Sequence, residues 1–138
     1  MQALGADAEE GREHMSVLTA GIFDLMFVLF HAVFWRLFGW KVRLRSLDSI
    51  NRSLMPVMNI ALIILLAVNG LALCLYPDEV LQTGLGRFLL GGMTAFWVIR
   101  AAVQQPYFGW RHPASIALQL VFIIGAGLHA YSLWVSSL

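Results

Sequence analysis

Asp24, His31 and His129 are the residues of this 138-residue chain best suited to chemistry, because each is titratable and each sits in a long apolar run. A carboxylate or imidazole in hydrocarbon needs a partner or a water-filled pocket, and such residues mark proton relays and ligand sites. Asn59, Asn69, Arg87, Arg100 and Gln119 are the other polar groups set deep in apolar sequence. Placed by about 1.5 Å of rise per residue, these side chains fall into two layers. His31, Asn59, Arg100 and Gln119 make a cytoplasmic-side layer, and Asp24, Asn69, Arg87 and His129 make an outer one. Every apolar run supplies one polar group to each layer. Asp24 and His129 lie at similar heights, so an Asp24–His129 pair is the sharpest single expectation.

The spacing supports common faces in part. Asp24 and His31 are seven residues apart, two turns on one stripe. Ser115, Gln119, Phe122, Ala126 and His129 follow one helical face. Asn59 and Asn69 diverge by about 80° on an ideal helix, so they share a broad interior face and not a narrow one. A plainer role stands beside the chemical one. Amides and imidazoles fix the register of membrane helices at about 0.6 kcal/mol each, and Arg87 and Arg100 near the ends of their run can snorkel to headgroups.

Two histidines on different helices are the minimum for a bis-histidine haem b. His31 falls about 4 Å to one side of the midplane and His129 about 7 Å to the other. Axial ligands of one iron share a height, so haem b is not expected and the cofactor is left open. No His-x-x-His, Cys-x-x-Cys or Glu-x-x-His spacing occurs, and no metal site is expected. Cys74 is the single cysteine and reads as a small hydrophobe. The serines lack a nucleophile motif. These absences weaken an enzymatic reading without removing it.

The elements that must position these residues are legible from composition. Hydrophobic residues make up 59% of the chain and charged ones only 12%, against roughly 25% charged in soluble domains. A spanning helix needs about 20 apolar residues, and the runs at 17–40, 54–76, 81–104 and 113–133 qualify. Backbone groups unsatisfied in lipid force each to be helical. Short connections then predict an all-α membrane protein, a single domain folded as an antiparallel bundle of four transmembrane helices.

Charge sets the expected orientation. Arg36, Lys41, Arg43, Arg45, Arg52, Arg100 and Arg111 lie on one side against Asp48. Arg12 and Arg87 lie on the other against Asp7, Glu9, Glu10, Glu13, Asp24, Asp78 and Glu79. Basic flanks stay in the cytoplasm, which puts both termini outside (N-out/C-out), in the periplasm if the membrane is a bacterial inner membrane. The acidic N-terminal stretch and long first run are unlike a cleavable signal peptide. The formal net charge of +1 gives no reason to expect nucleic acid. Between the first two spans, residues 41–53 place Leu44, Leu47, Ile50 and Leu54 at helical spacing. That segment is either an amphipathic helix at the inner headgroups or an extension of the second span bent near Pro56. In both cases Arg43, Arg45 and Arg52 attract anionic lipid.

Small residues point to close packing. Gly84 and Gly91 lie two turns apart on the third span, and Gly125 is on the fourth. Such residues let membrane helices approach, here inside the bundle or across a dimer interface. Trp35, Trp40, Trp97, Trp110 and Trp134 mostly lie toward span ends, as interfacial anchors do.

Four segments carry a resemblance as a set: His31 to Trp40; Asn51-Arg52 with Met55 and Asn59; Leu85 to Leu90; and Phe96-Trp97 with Arg100 and Gln104. The chain resembles a family of small, uncharacterised four-span integral membrane proteins of bacteria, over nearly its whole length. The resemblance implies the four-span fold and a shared pattern of His31, Asn59, Arg87 and Arg100, and it implies no activity. A likeness to the membrane-associated eicosanoid and glutathione enzymes is architectural only, since the acidic residue expected close after an Arg and Asn of the second helix is missing here.

The reading that follows is a non-enzymatic binding or accessory protein for a lipid, a small hydrophobic ligand or a partner in a larger membrane complex. A proton-linked small transporter using Asp24 and His129 is the first alternative, and four helices form so thin a wall that it requires a homo-oligomer. A haem- or quinone-binding redox subunit using His31 is the second.

Overall fold

Each apolar run folds as a helix because hydrocarbon offers its amides no other partner. The structure, a computed structural model, describes the backbone of residues 2–137 and the side chains of residues 9–137. The acid Asp7 of the charge pattern lies outside the described side chains. The long helices are α1 (Gln2–Ala32), α4 (Ser49–Leu75), α6 (Gly84–Phe108) and α7 (Pro113–Val135), with short helices α2 (Phe34–Leu37), α3 (Trp40–Arg43) and α5 (Pro77–Gln82) between them. No strand occurs among the described residues. All four long helices are long and apolar enough to cross a bilayer, and the chain is a multi-pass, all-α membrane protein. Its exposed side chains agree: Leu29, Ile64, Phe88 and Ile123 all face outward.

Local sequence sets the boundaries. The Asp48 carboxylate caps α4 by accepting from Asn51 N, and the Thr83 hydroxyl caps α6 by accepting from Gly86 N at 3.0 Å. Pro77 and Pro113 start their helices where no amide is missed. The third run, expected from residue 81, is divided at Thr83, whose backbone is extended. α5 therefore folds separately and lies close over α6, so that a methyl group on Gly86 would run into the Val80 backbone.

The first run departs most from expectation. A span over 17–40 is replaced by a helix that ends at Ala32. The chain then folds back through α2, a left-handed Gly39 (φ 59°) and α3. This turn buries Trp40, whose ring lies 6.0 Å from that of Phe34, and Leu44. Residues 41–53 accordingly form no single amphipathic helix, and only residues 49–53 extend the second span. A 3-10 turn at Leu44–Ser46 follows α3, Leu47 is extended, and α4 starts at Ser49. Arg52 holds the connection by donating to the carbonyls of Leu44, Arg45 and Leu47.

Packing gives the helix order α4, α1, α7, α6. α1 packs along α4 and α7, and α7 along α6, while α4 and α6 make no comparable contact. The α5 segment touches α1, α4, α6 and α7. It closes the α4–α6 gap at that end and leaves it open toward α2 and α3.

Candidate functional site

The layer that holds Asn69 and His129 converges on Asp24, which has no exposed surface. Its Oδ2 accepts from Asn69 Nδ2 of α4 at 2.7 Å, and its Oδ1 accepts from Trp97 Nε1 of α6 at 3.2 Å. His129 of α7, also without exposure, sets Nε2 3.2 Å from Oδ2. One carboxylate thus ties α1 to each of the other long helices. The proton count follows from the fourth contact. His129 Nδ1 is 2.9 Å from the Gly125 carbonyl, and a carbonyl only accepts, so Nδ1 carries a hydrogen. The Asp24–His129 pair then shares one proton, as imidazolium–carboxylate or as imidazole–carboxylic acid. Both forms are neutral overall, which suits burial in a bilayer.

Glycines make this knot possible. A methyl on Gly21, one turn before Asp24, would meet the Gly70 carbonyl at 2.9 Å and Cys74 Sγ at 2.7 Å. A methyl on Gly125, one turn before His129, would meet the Phe23 ring at 2.6 Å and Trp97 at 2.9 Å. Close approach here is what lets short side chains reach Asp24. Gly84 has nothing within 4 Å and Gly91 only Leu133 at 3.9 Å, so of the three expected packing glycines only Gly125 lies at a close contact between long helices, together with Gly21 and Gly70.

Below the knot lies a cavity of about 750 Å³ between α4 and α6, backed by α1 and α7. Trp97, Leu66 and Phe27 separate it from Asp24, and Phe34, Phe38 and Trp40 line its other end. The aromatic wall is continuous: Phe27 meets Trp97 edge-on at 4.7 Å, and Trp97 lies 5.9 Å from Phe122. Three polar residues reach this cavity, His31, Asn59 and Arg100. His31 Nδ1 is 2.9 Å from the Phe27 carbonyl, so Nδ1 donates to it. Asn59 Nδ2 donates to the His31 carbonyl at 3.1 Å, which leaves Asn59 Oδ1 buried with no partner. The Arg100 guanidinium sits 4.6 Å over the Phe122 ring, held by a cation–π contact.

The remaining residues of the two layers lie elsewhere. Arg87 does not join the Asp24 layer, because it sits in the first turn of α6, exposed, donating to the Ser136 carbonyl at 3.2 Å. Trp97 takes its place. Gln119 faces α6 and not the cavity, accepting from Gln105 at 3.3 Å, beside a Gln104–Ser115 bond of 3.2 Å. The two amide contacts zip α6 to α7. His129 has both ring nitrogens engaged in the knot, so it is not a partner of His31 across one cavity.

Sequence reasoning missed Trp97 as a partner of Asp24. The signal was its mid-span position, unlike the other tryptophans, since a buried indole N–H needs an acceptor. Gly21 and Gly70 were also legible as the small residues beside Asp24 and Asn69. Comparison with protein-family models, curated proteins and solved structures returns no match, so the site is read from its own geometry.

Proposed function

We propose that this protein binds a small lipophilic ligand inside the membrane, in the cleft between α4 and α6. One observation carries the reading: an aromatic-walled cavity of about 750 Å³ lined by His31, Asn59 and Arg100 among apolar side chains. Apolar cavities with a few convergent polar groups are the usual form of a ligand site. The gap between α4 and α6 gives a ligand lateral access from the bilayer.

The wider setting is part of the same proposal. The chain sits in a bacterial inner membrane with both termini periplasmic, an orientation supported by the basic α2–α4 side. Arg43 and Arg45 are exposed there to meet anionic lipid, whereas Arg52 is occupied by backbone carbonyls. The protein acts without catalysis, delivering or sensing its ligand alone, as a homo-oligomer or within a larger membrane complex. A proton-linked carrier would have to expose Asp24 and His129 to each side in turn. Their complete burial and four-helix tether favour a holding role instead.

The reading is tested by photo-crosslinking in native membranes with a diazirine-tailed lipophilic probe. Labelling is expected to concentrate on cleft residues such as Phe30, Leu62 and Phe96, and to fall when Leu62→Trp fills the space. Labelling spread evenly over the outward faces of all four long helices would overturn it.

A further inference from the structure

Arg100 brings a charge to the cleft with no counter-charge beside it, and what it pairs with follows from the cleft being a ligand site, the reading on which this inference rests. Among the described residues its guanidinium makes no hydrogen bond and no ion pair, and it sits over the Phe122 ring at 4.6 Å. Its nitrogens are not sealed from the surface, because the buried side-chain nitrogens and oxygens without a partner all belong to Asn59, Asn69, Gln104 and Gln105. Arginine has five N–H donors and no acceptor, so this fork of donors is left for an incoming group. His31 lines the same cavity and is neutral or cationic, and no Asp or Glu lines it. The cleft therefore carries net positive charge. Asp24, the carboxylate at depth, is already matched by His129 behind Trp97.

Depth sharpens the requirement. Phe122 lies two residues from the midpoint of α7 (Pro113–Val135), about 3 Å along the axis. A guanidinium over that ring is near the level of the bilayer centre. It has not snorkelled to the headgroups, although Arg100 is only eight residues, about 12 Å, from the end of α6. A cation at that depth needs a partner or water. A carboxylate matches the guanidinium fork with two parallel hydrogen bonds and neutralises its charge. The rest of the wall suits a hydrocarbon tail: Met55, Met58, Leu62 and Leu65 of α4 line the cleft, and methionines adapt to a flexible chain. A two-chain glycerophospholipid fits worse, because its head would bring glycerol and ester groups to the same apolar depth.

We propose that the ligand is a single-chain amphiphile with a carboxylate head, of the long-chain fatty-acid class. Both carboxylate oxygens accept from the Arg100 guanidinium, and the tail lies along the α4 wall and leaves the cleft between α4 and α6. Arg100 is thus the residue that selects an acidic head. The assignment concerns binding, and no bond of the ligand is made or broken.

The test uses the full chain in phosphatidylcholine nanodiscs, with dibromostearic acid and its methyl ester as probes. The two share the tail and differ in the charge of the head. They are compared at matched mole fraction in the disc and at mildly alkaline pH, where the acid is ionised and His31 is neutral. Bromine quenches tryptophan, and Trp40 and Trp97 line the cavity. Wild type is expected to bind the acid about ten-fold more tightly than the ester, the scale of one hydrogen bond to a charged group. Arg100→Gln is expected to bring that ratio close to one while leaving ester affinity unchanged. Arg100→Lys, which keeps the charge and loses the fork, is expected to retain part of the preference, with circular dichroism checking that each variant folds. Equal, saturable binding of both probes to wild type, or a preference that survives Arg100→Gln, overturns the carboxylate assignment while leaving the cleft a ligand site. Tighter, Arg100-dependent binding of brominated phosphatidylglycerol overturns it in favour of an anionic phospholipid. If no probe saturates, and quenching only rises in proportion to probe as random contact in the bilayer does, the ligand-site reading fails as well.

Discussion

Replacing Asp24 by leucine removes the acceptor on which three other helices converge. Asn69 Nδ2, Trp97 Nε1 and His129 Nε2 would lose their oxygen. At the average of about 0.6 kcal/mol for hydrogen bonds between membrane helices, the loss is about 2 kcal/mol. At the 1–3 kcal/mol of a buried donor left unpaired it rises to several, so about 3 kcal/mol of destabilisation is expected. Asp24→Asn should be far milder, about 1 kcal/mol. Its carbonyl oxygen still accepts from Trp97, and its amide can donate to a neutral His129 Nε2, leaving only the contact with Asn69 to rearrange. The assay is equilibrium unfolding in mixed micelles, raising the denaturing detergent and following tryptophan emission and helicity. The predicted order is wild type, then Asp24→Asn, then Asp24→Leu. If Asp24→Leu is as stable as wild type or more so, the carboxylate is no tether. It would then be a strained group retained for function, and the carrier alternative would take the lead.

The glycine contacts give a second ranking. Gly125→Ala should destabilise by about 1–3 kcal/mol through overpacking against Phe23 and Trp97, whereas Gly91→Ala should be near neutral, both measured by the same unfolding assay. The α4 cap gives a pH dependence. Hydrogen bonds from the Asn51 side chain and backbone hold the Asp48 carboxyl below the usual carboxylate range. A depressed folded value means the cap is fully present above the unfolded value near about 4 and is lost as pH falls through the folded one. Hydrogen exchange at residues 50–53 should therefore accelerate on acidification below that range, and Asp48→Ser should remove the dependence. Unchanged acid sensitivity in Asp48→Ser would sink the assignment.

Much of this arrangement is readable before any coordinates. Apolar runs longer than a bilayer is thick can only be helices, so the four spans follow from length alone. Axial height follows from rise per residue, which is why Asp24, Asn69 and His129 meet at one level. Rotation about each helix axis is another matter, because packing decides it. Arg87 and Gln119 have suitable heights, yet one ends in an exposed first turn and the other faces α6. The same blindness affects Gly84 and Gly91, since a glycine matters only where helices cross. The turn after Ala32 depends on burying Trp40, a tertiary gain that hydropathy along the chain does not register. The cleft was the least visible feature, because it arises from two helices that pack little against each other.

The account stands or falls on whether the cleft holds a ligand, and native mass spectrometry reads that most directly. The protein would be released from its own membrane in mild detergent, wild type beside Leu62→Trp. A discrete adduct of one mass on wild type, absent from the filled variant, is the predicted result. Bare protein in both, or the same mixture of loosely held lipids on both, would contradict it.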